Sequence, residues 1–127
     1  MDVTLWIAAA LLATVALLGG ISKTFVPLPK LAAAPGGEWT GHAGAGLVRT
    51  LGILELLAAV GLVLPAVLGI APVMVAVTAI CWILLMLGAI VTHLRYGDPR
   101  FIVLNLVYLG LAAYVAWGRL GPQPFPS

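Results

Sequence analysis

Residues 47–64 read LVRTLGILELLAAVGLVL. Only Arg49, Thr50 and Glu55 break an otherwise apolar or small-residue run. Eighteen residues of this kind are close to the roughly 20 needed to cross about 30 Å of hydrocarbon as a helix. Between Arg49 and Arg95, Glu55 is the single formal charge. Insertion scales put a charge at the bilayer centre at about 2.5–3.5 kcal/mol. A cost of that size marks a pairing partner, a proton site or a substrate site, so the stretch predicts both a membrane helix and a polar site within it.

Outward from this stretch the composition agrees. The 127 residues are 63% hydrophobic and 8% charged, and the mean hydropathy is +1.19. Soluble domains are about half apolar and a quarter charged, so the bilayer must act as solvent for most of this chain. The net charge is +2, and the six basic residues are scattered singly, which excludes the basic stripe of a nucleic-acid binder. Cys81 is the single cysteine, so an intrachain disulfide or a Cys-x-x-Cys redox pair is impossible. Its expected role is that of a small buried apolar residue.

Four spans are predicted, at 3–22, 47–64, 70–92 and 101–118, making an all-α, four-transmembrane-helix bundle in a single domain over 1–127. Pro65 is expected to end the second span, and Pro72 to fall in the first turn of the third, where proline is tolerated. No segment alternates polar and apolar residues as a barrel strand does. The first span lacks the basic n-region of a signal peptide, and Pro35 follows the cleavage-like Ala32-Ala33-Ala34, which argues against processing. A long loop, 24–46, is expected between helices 1 and 2, lying on the bilayer surface with Trp39 at headgroup level and covering one end of the bundle. The proline-rich tail 120–127 is expected to be mobile or held by a partner.

An even number of spans puts both termini on one side. Lys23, Lys30, Arg49, Arg95 and Arg100 then collect at the opposite end, and only Arg119 lies near the termini. The positive-inside rule places the two charged loops in the cytoplasm and the termini outside. The same topology gathers Lys23, Arg49, Glu55, His93, Arg95, Asp98 and Asn105 toward one end. Arg49, Gly52 and Glu55 recur every third residue and share a broad helix face, with Glu55 about 9 Å deeper than Arg49. Gly52 between them allows close approach of a neighbouring helix or ligand.

Each of these groups also has a plain structural role. Glu55 paired with Lys23 or Arg49 is helix–helix glue. Arg49, Arg95 and Arg100 can snorkel to phosphate headgroups, and His93 suits a helix C-terminus. Asp98 fits a turn before helix four, and Asn105 an interhelical hydrogen bond. The functional reading rests on convergence. It takes Glu55, His93 and Arg49 as catalytic groups, with Lys23, Gly52, Arg95, Asp98 and Asn105 as ligand contacts. No metal or haem is expected. Glu38 and His42 sit in a glycine-rich loop, and His42 and His93 lie on one side rather than facing across a bundle.

Three segments together resemble the DoxX-like family of small four-helix membrane proteins. They are Gly20-Ile21-Ser22-Lys23, then Arg49-x-x-Gly52-x-x-Glu55 with Gly61 and Leu64-Pro65, and finally Thr92-His93-Leu94-Arg95-Tyr96-Gly97-Asp98-Pro99. The resemblance implies a bacterial cell membrane and kinship with a small subunit of a thiosulfate:quinone oxidoreductase and with complexes that handle oxidative or thiol stress. The leading expectation is therefore a redox-linked subunit that binds a quinone or another lipophilic small molecule around Glu55. One alternative is a cofactor-free isomerase, cyclase or hydrolase acting on a hydrophobic substrate. Another is a non-catalytic assembly or anchoring subunit, and a small transporter ranks last. Expected partners are membrane lipid and either further copies of the chain or a larger membrane complex.

Overall fold

The computed structural model describes residues 1–35, 37–96 and 99–125. Among these residues six helices follow in order: α1 (Asp2–Phe25), α2 (Leu28–Ala33), α3 (Thr40–Ala43), α4 (Ala45–Leu68), α5 (Met74–Tyr96) and α6 (Pro99–Leu120). The helices α1, α4, α5 and α6 have 22–24 residues each and mean hydropathies of 1.8–2.6, long and apolar enough to cross a membrane. The protein is a multi-pass integral membrane protein.

The four long helices run up, down, up and down. α1 packs most closely on α4, and α5 on α6, while α4–α5 and α1–α6 contacts close the ring. Leu12, Leu62, Ala79 and Ala112 are fully buried along the shared axis, with Val75 and Trp82 beside them. Large apolar side chains cover the outside, Leu18, Leu57, Leu84 and Val103 among them. With lipid as solvent, outward leucine costs nothing, and association relies on close packing of small residues. A Cβ on Gly52 would lie 2.5 Å from Thr24 Oγ1 and 2.8 Å from its backbone nitrogen, and one on Gly20 would lie 2.9 Å from the Gly52 carbonyl. α1 and α4 therefore meet backbone to backbone.

Several boundaries differ from those read in the sequence. α4 continues through Pro65 to Leu68. Proline removes one hydrogen bond, but its φ is helical, and the helix stops only at Gly69, whose φ of +68° turns the chain left-handed. α5 starts at Met74 rather than residue 70, because Ala71 takes a φ of +45° and Pro72 lies in the turn before the helix. The expected long loop between the first two spans is instead built around the short helices α2 and α3. Pro27 and Pro29 start α2, at positions whose missing N–H has no helical partner to lose.

Two further expectations are corrected. Cys81 is exposed on the outer face of α5, not buried. The described part of the tail is held by the bundle itself: the Gln123 N–H donates to the Gly118 carbonyl at 2.8 Å, and Phe125 packs edge-on against Trp6 with ring centroids 5.7 Å apart.

Candidate functional site

Glu55 projects from the middle of α4 and is buried, 6% exposed. Lys23, two residues before the end of α1, reaches it: Nζ lies 2.9 Å from Oε2 and 3.2 Å from Oε1. Gly19, one turn earlier on α1, makes room for this carboxylate, since a Cβ there would stand 2.9 Å from Oε1. Such a pair offsets the cost of burying either charge only when the geometry is good, and here the ammonium is near both carboxylate oxygens but hydrogen-bonds only Oε1, leaving Oε2 without a directed partner.

Arg49 serves the other side of the same junction. Its Nη1 donates to the Lys23 and Val26 carbonyls, each at 2.7 Å. Those acceptors belong to the last turn of α1 and to its cap residue Val26, where carbonyls have no helical partner. Arg49 thus closes the end of the helix that carries Lys23, which also accounts for α1 running on to Phe25 rather than stopping near residue 22.

Beside Glu55 a cavity of about 680 Å³ opens between the helix ends. Apolar side chains such as Leu51, Leu85 and Met86 form much of its wall. Lys23, Glu55, Trp82, His93 and Asn105 bring the polar atoms, and residues of the α2–α3 segment, Trp39 and His42 among them, line its outer part. His93 is buried and stacks on Phe101 at 5.4 Å between ring centroids. His42 stacks on Tyr96 at the same separation. Arg95 also lines the cavity and is exposed.

Helix register orders these groups by depth. His93 faces Phe101 across the antiparallel α5–α6 pair, so Asn105 stands about 6 Å further in. Gly61 of α4 abuts Thr78 of α5, which puts Glu55 about level with Leu84 and only about 3 Å shallower than Trp82. From the mouth inward the order is Arg95, His93, Asn105, Glu55 and Trp82. Below Trp82 the fully buried Leu12, Leu62 and Ala79 fill the bundle axis, with Ala112 level with Trp82.

Two donors in this lining are unsatisfied within the protein: Asn105 Nδ2 and Trp82 Nε1. Asn105 is 8% exposed and Trp82 1%. An unpaired buried donor costs about 1–3 kcal/mol, and native structures seldom keep one without a use.

The structure thus brings Lys23, Glu55, His93, Arg95 and Asn105 to one cavity. Arg49 and Gly52 belong to the α1–α4 contact behind it and do not line it. Asp98 lies outside the described residues. Trp82 was not singled out by the sequence reading, although one signal was available. Tryptophan belongs at the membrane interface, and Trp82 is in the middle of a span. Among the described residues no group of three or more His, Cys, Asp or Glu side chains is placed to hold a metal ion.

A family profile described as DoxX-like matches residues 7–115. No curated protein matches the chain, and no solved structure does.

Proposed function

This chain belongs to the DoxX-like family, and from that premise we propose that it binds a quinone or a similar lipophilic ligand in the cavity beside Glu55, as the small ligand-binding subunit of a redox-linked membrane complex. One observation carries the reading: the cavity, about 680 Å³, lies within the 300–1,000 Å³ typical of small-molecule sites and has their character, apolar walls with a few convergent polar groups. Glu55 and His93 are the groups able to exchange a proton with the ligand. Asn105 offers a hydrogen bond to a carbonyl oxygen. The ligand's electrons come from a partner protein that carries a redox centre. The charged connections α1–α4 and α5–α6 face the cytoplasm in this reading, so the cavity opens toward that leaflet.

The test is saturable binding of 2-decyl-1,4-benzoquinone to the protein in lipid nanodiscs, with empty nanodiscs as the blank. Glu55→Gln keeps the shape and the hydrogen bond to Lys23 but removes the charge and the proton site. It is expected to leave binding within a few fold and to abolish quinone-dependent turnover in the native complex. Absence of saturable binding, or full turnover by Glu55→Gln, overturns the proposal. A second reading, that of an assembly subunit, draws on the Lys23–Glu55 pair and the Arg49 clamp, which tie α1 to α4 without chemistry. It expects Glu55→Gln to change partner retention alone.

A further inference from the structure

The two unsatisfied donors define what the inner end of the cavity will accept. Trp82 lines the cavity just below Glu55 by helix register, and its buried Nε1 carries a hydrogen that nothing in the protein accepts. An indole nitrogen donates only, so its partner must be an acceptor. Asn105 Nδ2, also without a protein partner, is a donor about 10 Å nearer the mouth by helix register. The nearby charges face each other: Lys23 Nζ donates to Glu55 Oε1 and lies 2.9 Å from Oε2, which accepts no directed hydrogen bond. An anion arriving at Trp82 would meet the Glu55 carboxylate, and a cation would meet the positive end of the indole N–H dipole. A neutral acceptor fits.

We infer that Trp82 is the inner anchor of a neutral, carbonyl-bearing lipophile that enters the cavity oxygen-first, with Asn105 as a second donor along its path. This deepens the ligand-binding reading above and rests on it. It narrows the ligand to ketones, esters, quinones and like molecules, and sets aside free fatty acids and amines. It also fixes polarity: the leading atom is an oxygen and the tail trails toward the α2–α3 segment, the reverse of a lipid lying with its headgroup at the membrane surface.

Binding of four probes by equilibrium dialysis into nanodiscs tests this: 2-dodecanone, 2-decyl-1,4-benzoquinone, dodecane and dodecylamine. The two carbonyl compounds are expected to bind saturably, and dodecane and dodecylamine not to. Trp82→Phe preserves a flat aromatic ring and removes the donor, and Asn105→Leu removes the amide at nearly constant volume. Trp82→Phe is expected to weaken both carbonyl probes about tenfold, as loss of one hydrogen bond inside a dry site should. Asn105→Leu is expected to weaken the quinone, which has a second oxygen. The carbonyl stretch of bound 2-dodecanone is expected at lower frequency than in lipid, and to return toward the lipid value in Trp82→Phe. Equal binding of dodecane, or unchanged affinity and carbonyl frequency in Trp82→Phe, overturns the anchor while leaving quinone binding intact. If 2-dodecanone binds and the quinone does not, the anchor stands and the quinone reading falls. If neither binds, both fall. A Trp82→Phe protein that does not fold is replaced by the wild type with 5-fluorotryptophan, whose Trp82 fluorine resonance must shift on adding 2-dodecanone; an unmoved resonance likewise overturns the anchor.

Discussion

The two ends of the bundle hold similar charges and treat them differently. At the end near the termini, Arg119 is buried, with Nη1 2.7 Å from Asp2 Oδ1 and 3.1 Å from the Gln123 carbonyl. Its guanidinium lies over the Phe125 ring at 3.7 Å and near Trp6 at 5.9 Å, so even Nη2, which lacks a hydrogen-bond partner, is enclosed by aromatic faces. Thr4 and Tyr114 add a hydrogen bond between α1 and α6. At the other end, Lys23 and Glu55 are paired as closely, but they border open space together with two donors left over. Polar residues in an oily helix therefore do not by themselves mark a site. A site appears where their packing leaves room and unmet hydrogen bonds.

The comparison breaks most visibly at the ion pairs. Lys23→Met leaves Glu55 buried without its cation, a loss expected to cost about 3 kcal/mol. Asp2→Asn removes the anion facing Arg119, whose side chain is 3% exposed while that of Asp2 is 55% exposed; the asparagine oxygen, the Gln123 carbonyl and the aromatic neighbours remain, so a smaller loss of about 1–2 kcal/mol is expected. Denaturant-induced unfolding in detergent micelles compares the two, and equal losses would mean the ends are equivalent after all.

Glycine substitutions sharpen the contrast within the membrane. Gly52→Ala forces a methyl group against the Thr24 hydroxyl and against the backbone of Lys23 and Thr24, which cannot rotate away, and about 2 kcal/mol of destabilisation is expected. Gly110→Ala meets nothing within 4 Å and should be neutral or slightly stabilising, because alanine favours the helix by about 1 kcal/mol. The midpoint shift of the same unfolding curves reads both. In the tail, Phe125→Ala removes one cation–π contact, worth about 1 kcal/mol, and should leave the Kd for 2-decyl-1,4-benzoquinone unchanged, since Phe125 lies at the opposite end from the cavity.

The number of spans and the end at which charge gathers were legible, because hydropathy and charge are properties of single residues and a helix maps them directly onto depth. Helix ends were less so. Pro65 looked like a stop and Pro72 like a first turn, yet the left-handed residues Gly69 and Ala71 set the boundaries, and nothing local announces that Ala71 will adopt a positive φ. Glu55 was legible as a costly charge. That Lys23 rather than Arg49 would pair with it was not, since the choice depends on Arg49 finding the carbonyls at the end of α1 across a glycine contact. Asp2 and Arg119 stand 117 residues apart in the chain, and only the closure of α1 against α6 makes them partners.

The chain's order of residues alone determined that this protein dissolves in a bilayer as four helices with one carboxylate held inside, since that outcome follows from transfer free energies residue by residue. Tertiary packing decided which charges are satisfied and which donors are left facing a cavity. The physical reason is that hydrogen bonds have short reach and strict direction, so a partner exists only once two helices have fixed how far apart, and how turned, they stand.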